Sequence, residues 1–261
     1  KKLIVLFFSI VSLSADSQCY EITSLFVDAC DNAPADPEGA NEMFTFQVGA
    51  TAINSNDITV FWPNNSFLNF CASPTKTLAL NATISNSCGF LLEPIANILP
   101  ANANVIVISS TDFSTTLNSF NSLADTMYIL YQCAGNTAGH FANSGTGNRT
   151  LTMLISGSCT GSDAVTYNRA LISGGNGATV QFDAAGNATY VNNGCNAPIV
   201  SYSPAWDISD VCETTSPINL NTLLKLFFSS GPTRLAANPS LTILISKTFN
   251  LQQKVLHSQQ K

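Results

Sequence analysis

Apolar and polar residues alternate in short runs along most of this chain, with the period of a half-buried strand. Phe44, Phe46 and Val48 are separated by Thr45 and Gln47, and Ile58, Val60 and Trp62 by Thr59 and Phe61. A two-residue period puts one side-chain set on a core and the other in water. Two continuous runs, Val105-Ile106-Val107-Ile108 and Met127-Tyr128-Ile129-Leu130-Tyr131, predict strands buried on both faces. Residues 151–155, 165–167, 178–182 and 188–191 supply four more. The last two flank Asp183-Ala184-Ala185-Gly186-Asn187, a loop of hairpin length with glycine where positive φ is easiest. Connectors rich in Asn, Gly, Ser and Pro interrupt the runs every ten to twenty residues. The pattern predicts an all-β, antiparallel β-sandwich, immunoglobulin-like or lamin-tail-like, with a jelly roll as the alternative. One short helix is expected over 115–124, where Leu117, Phe120 and Leu123 recur at three-residue spacing behind Ser114 and Thr115 as caps.

The first residues follow a different rule. Lys1 and Lys2 precede an apolar run over 3–13, and Ala15-Asp16-Ser17 supplies small residues. This is the layout of a secretory signal peptide over 1–17. The run falls short of the ~20 residues a spanning helix requires, and no later segment reaches that length, so a secreted or cell-surface protein without a transmembrane span is expected. In that oxidising compartment the eight cysteines, Cys19, Cys30, Cys71, Cys88, Cys133, Cys159, Cys195 and Cys212, are expected to pair. Their number leaves 105 connectivities open.

Charge divides the chain. Residues 18–220 hold three basic residues, Lys76, Arg149 and Arg169, against fifteen acids, and 3 − 15 gives −12. Residues 221–261 hold five basic residues and no acid. The acidic part excludes nucleic acid as partner, because it repels rather than neutralises phosphate. The expected organisation is a leader over 1–17, a β-sandwich module over 18–204, a linker and the start of a truncated repeat over 205–220, and a disordered or non-native basic tail over 221–261. Cys212 is the cysteine expected to lack a partner.

Five carboxylates crowd one stretch: Asp28, Asp31, Asp36, Glu38 and Glu42, on a loop bent by Pro34, Pro37 and Gly39. Hard oxygen donors on such a loop form a candidate calcium site, although the spacing is not that of an EF-hand and the prolines hold the acids apart. A solvated acidic loop is the competing reading. Catalytic signals are sparse. His140 is the one histidine before the basic tail, no G-x-S-x-G elbow accompanies it, and a histidine beside Phe141 is the pattern of a structural hydrogen-bonder. Trp62, Phe67, Phe70, Tyr202 and Trp206 are candidates for a carbohydrate-binding face, with Trp62 assigned to the core by its alternation with Ile58 and Val60. The run Ser173-Gly174-Gly175-Asn176-Gly177 lacks the lysine of a phosphate loop and reads as a flexible hairpin tip. Asn64, Asn81, Asn148 and Asn187 open N-x-S/T sequons.

Several separated motifs carry a resemblance. Gln18-Cys19-Tyr20-Glu21-Ile22, Val27-Asp28-Ala29-Cys30 and Pro37-Glu38-Gly39-Ala40-Asn41-Glu42-Met43 come first. Val60-Phe61-Trp62-Pro63-Asn64-Asn65, Gly139-His140-Phe141-Ala142-Asn143 and Tyr190-Val191-Asn192-Asn193-Gly194-Cys195 follow. Together they resemble the N-terminal module of large surface proteins that gliding bacteria export by type IX secretion. The stretch from Asp28 to Phe46 also resembles a lamin-tail-like sandwich, and the sequence from Val211 to Leu220 resembles the opening of the next immunoglobulin-like repeat. After Leu220 the resemblance stops, and a truncated or frame-shifted product is expected. The resemblance implies a family and no activity. The leading expectation is a non-enzymatic structural or adhesion module, whose partner is an extracellular polymer, glycan or protein. A calcium-dependent carbohydrate-binding module is the first alternative and a secreted hydrolase the second.

Overall fold

A computed structural model describes residues 18–32, 34–85, 89–135, 138–157 and 159–196. The leader, Cys88, Tyr202, Trp206, Cys212, the linker and the basic tail lie outside the described residues. Among the described residues thirteen strands occur in chain order: β1 (Tyr20–Asp28), β2 (Met43–Val48), β3 (Ile53–Asn54), β4 (Ile58–Phe61), β5 (Phe70–Cys71), β6 (Phe90–Leu92), β7 (Ile98–Leu99), β8 (Asn104–Ile108), β9 (Thr126–Gln132), β10 (Asn148–Ile155), β11 (Gly161–Asn168), β12 (Ala178–Phe182) and β13 (Ala188–Asn192). Among the same residues one α-helix, α1, spans Pro74–Asn81. The large sheet runs β13-β12-β1-β2-β8-β9-β5, with β6 also on β9; a second sheet runs β11-β10-β4, and β3 pairs with β7.

The all-β sandwich is observed. One face of the large sheet meets the inner face of the three-stranded sheet, so that Ile22, Phe44, Phe46, Val105 and Leu130 share a core with Val60, Trp62, Leu151, Met153 and Tyr167. Its other face forms a second core, in which Phe26, Met43, Ile106, Ile108, Ile129 and Tyr131 pack with Leu80 of α1 and with Phe113 and Phe120. The two continuous apolar runs are therefore β8 and β9, covered on both sides. Between Ile22 and Ser24 the β1/β2 register shifts. A bulge of this kind switches which side chains face which layer, and it allows Tyr20, Ile22, Leu25 and Val27 all to reach the first core. Two ladders depart from the antiparallel expectation: β8 and β6 both run parallel to β9. The long 109–125 connection supplies the crossover that β8 and β9 require, and β6 reaches β9 through that same connection after β7 and β8.

The hairpin forms as expected, β12 pairing with β13 from Ala178↔Asn192 to Phe182↔Ala188. Gly186 turns it at φ +78°, and the Asp183 carboxylate accepts from the amides of Ala185 and Asn187. The 115–124 helix does not form. That segment's polar groups bond across the fold instead: the buried Asn118 side chain accepts from Cys30 N and donates to Cys30 O, Ser114 N donates to Asn41 Oδ1 and Ser119 N to Cys195 O. An Asn side chain and main-chain amides that find such distant partners are withdrawn from the helical ladder. The observed helix starts on Pro74 at its first turn, where a missing N–H costs nothing. Asn81 at its end bonds both main-chain groups of Leu91. The glycine-rich 173–177 run is not a tip between paired strands. It leads into β12, Gly177 N donating to Asp28 O at 2.6 Å, and at φ +102° a Cβ there would stand 2.3 Å from Gly194 O.

Three disulfides staple the described residues: Cys19–Cys159, Cys30–Cys195 and Cys71–Cys133. The first joins the start of β1 in the large sheet to the β10–β11 turn of the small one. The second closes 165 residues of chain. Restricting so long a loop in the unfolded state is worth about 2–5 kcal/mol per bridge. Replacing Cys30 and Cys195 together by Ala is expected to lower the free energy of unfolding by that amount in a urea titration, and an unchanged midpoint would refute this role.

Candidate functional site

The polar groups that the sequence marks for chemistry meet at one end of the sandwich, where residues 38–42 lead into β2 and residues 138–143 cross beneath them. Glu42 is fully buried. Its carboxylate accepts from His140 N at 2.5 Å and from Phe141 N at 3.1 Å, while its main-chain oxygen accepts from Ser109 N. One residue therefore joins the acidic loop, β2, the end of β8 and the 138–143 segment.

The protonation state of His140 follows from donors that have no choice. The Trp62 indole N–H can only donate, and it points at Gln132 Oε1, 2.8 Å away. This fixes the Gln132 amide. Its Nε2 faces Ser109 O at 3.0 Å and His140 Nε2 at 2.9 Å. An amide nitrogen donates, so His140 Nε2 accepts and carries no proton. The proton sits on Nδ1, 3.1 Å from Gly39 O and 3.5 Å from Glu42 Oε2. The ring is neutral, and burial pushes its pKa down to about 4. Both ring nitrogens are occupied and the side chain is fully buried, so His140 has no free lone pair to offer a substrate.

Around this clamp the acidic loop is unevenly assembled. Asp28 ends β1, Asp31 lies just beyond it, and Glu38 opens a 3-10 turn over Glu38–Ala40. Burial, with the neighbouring charges of Glu42, Asp28 and Asp31, drives the Glu38 pKa up to about 8, although Asn143 donates to its Oε1 at 2.5 Å. Burial and Asp31 likewise raise Asp28, and burial raises Glu42 well above the usual carboxylate range. Asp36 is set apart, its main chain bridging Asn32. Four of the five candidate ligands thus share one electrostatic neighbourhood, while the Glu42 oxygens are taken by main-chain amides. Among the described residues no group of three or more His, Cys, Asp or Glu is arranged to hold a metal ion.

Of the aromatic candidates among the described residues, Trp62 is buried and Phe67 and Phe70 are half-buried. Trp62 is 6% exposed and packs edge-on against Phe44, His140 and Phe141. Phe67 and Phe70 stack edge to face at 5.0 Å and lie against the core. Two aromatics among the described residues face solvent: Phe90, 41% exposed, and Phe61, the neighbour of Trp62, 52% exposed. Phe61 occupies the opposite parity of β4, which the alternating pattern already marked as the outer face. A cleft of about 60 Å3 beside Val27, Thr179 and Tyr190 is far below the ~300 Å3 at which ligand pockets begin. Among the described residues no helix is long and apolar enough to cross a membrane. Compared with known proteins, the chain matches no family model, no curated protein and no solved structure.

Two measurements test this geometry. Glu42→Ala strands two buried amides and opens a cavity, and is expected to cost about 3 kcal/mol or more in chemical denaturation without added calcium. A loss under about 1 kcal/mol would show that the clamp is not structural. The pH profile has a defined sign. A carboxyl raised on folding contributes stability present below its unfolded pKa and lost as pH rises through its folded one, here from about 4.5 to about 8 for Glu38. The lowered His140 acts oppositely, between its unfolded value of 6.5 and about 4. From pH 6.5 to 8 only the carboxyl effect remains, so stability is expected to fall across that window, and Glu38→Gln to reduce the fall. A flat or rising profile in the wild-type protein would contradict the assignment.

Proposed function

We propose that this chain is a secreted or cell-surface structural and adhesion module of a larger surface protein, and that it acts by binding rather than by catalysis. The observation that supports this most is the use made of the reactive side chains. His140, Glu42 and Gln132 are fully buried and spend their hydrogen bonds on the fold. Three disulfides, one of them joining the two sheets, suit an oxidising exterior. The resemblance to the opening module of type IX-exported surface proteins of gliding bacteria points the same way, and the partner suited to such an adhesion module is an extracellular polymer, glycan or protein.

The calcium-dependent variant of this reading draws on Glu38, whose pKa is raised first by burial and further by three neighbouring carboxylates. A divalent cation beside it would relieve that repulsion. Arrays of glycans and of extracellular proteins, probed with the secreted chain in millimolar calcium and again with chelator, test both forms. Binding that survives chelation is expected of the plain adhesion module, and loss of binding identifies the calcium-dependent one. Steady turnover of chromogenic esters or glycosides by the wild-type chain would overturn the proposal in favour of the hydrolase.

A further inference from the structure

The outer face of the three-stranded sheet combines exposure with lack of charge. Phe61 lies beside Thr152 in one cross-strand row and Leu154 beside Thr59 in the next, with Thr150 opposite Thr166 beyond them. Strand alternation turns all six outward. Phe61 is 52% and Leu154 37% exposed. The charged residues of these strands, Arg149 and Asp163, sit at the opposite parity, where Asp163 accepts from Ile22 N. On a chain whose residues 18–220 sum to −12, the strand residues of this face are uncharged: hydroxyls and apolar carbon, with the Asn148 and Asn168 amides at one end.

We propose that this face is a binding platform for a neutral polysaccharide, lying along β10 with Phe61 as its stacking anchor; the proposal rests on the adhesion reading above and names its partner. Charge and size favour this occupant. An anionic polymer is repelled by the acidic body, and a cationic partner is drawn to the 28–42 loop instead of a face that offers no counter-charge. A sugar chain carries no charge, donates and accepts hydrogen bonds at every hydroxyl, and has C–H faces suited to an aromatic ring. The eight residues of β10 reach ~26 Å at ~3.3 Å per residue, and three strands span ~14 Å at ~4.8 Å each. The resulting area of roughly 350 Å2 is well below the ~800 Å2 per partner of a standard protein interface. It suits a narrow extended polymer better than a second copy of the chain.

Affinity electrophoresis of the full chain through gels containing mixed-linkage β-glucan, galactomannan or alginate tests the proposal, with a cellulose pull-down beside it. Retardation by at least one neutral polysaccharide and none by anionic alginate is expected. Phe61→Ala and Thr152→Lys should each weaken that binding tenfold or more with melting temperature unchanged, while Leu78→Ala, on the exposed side of α1, should have no effect. Binding that persists in both face variants would overturn the platform while leaving the adhesion reading intact. A wild-type chain that binds no neutral polysaccharide overturns it too, and array binding to proteins alone would then identify a different partner class. Self-association abolished by Phe61→Ala, without glycan binding, would assign the face to a second copy and overturn the proposal.

Discussion

The carboxylate of Glu42 is the constraint on which the rest of this structure depends. A buried charge or acid without partners is too costly to persist, so its two oxygens must find donors, and they find the amides of His140 and Phe141. Meeting that demand pulls the 138–143 segment under the loop and brings His140 against Trp62 and Gln132. Trp62 lies on the small sheet's side of the core, and Gln132 ends β9 of the large sheet. A chain of forced donor and acceptor assignments thus runs from one layer of the sandwich to the other. Two tyrosines extend the same logic. Tyr20 accepts from Asp163 N and donates to Met153 O, and Tyr167 bonds both main-chain groups of Ala142.

This polar framework is set between two apolar layers. The large sheet is covered on one face by β11-β10-β4 and on the other by α1 and the 109–125 connection, so its central strands must be apolar on both sides. Hydrophobic burial is non-directional and does not choose among registers by itself. The interlayer hydrogen bonds and the Cys19–Cys159 bridge are directional, and they select one alignment of the two sheets.

The same alignment separates chemistry from surface. Side chains that could act as bases or ligands are drawn inward, where desolvation leaves His140 neutral and Glu38 and Glu42 raised. What reaches water on the small sheet is threonine, Phe61 and Leu154, groups suited to contact rather than to proton transfer. Parity along β4 makes the division sharp, since Trp62 and Phe61 are adjacent in sequence and opposite in role.

The sequence by itself determined the strands of β2, β4, β8, β9, β10, β11 and the β12–β13 hairpin, because side-chain alternation and turn glycines are local properties. It also assigned Trp62 to the core and predicted disulfides, which the six described cysteines form. Local signals failed where distant groups outcompeted them. Residues 115–124 have helical spacing, yet Asn118 and Ser119 bond to Cys30 and Cys195, which no local window contains. Glu42 read as a loop ligand because its acidic neighbours are close in sequence, whereas its actual partners lie about a hundred positions away. Strand order, the parallel β8–β9 and β6–β9 ladders, the pairing of the cysteines and the burial of the Glu42–His140 clamp were decided only by tertiary structure. Each depends on which remote segments meet, and hydrogen-bond partners at that range leave no periodic trace in the chain.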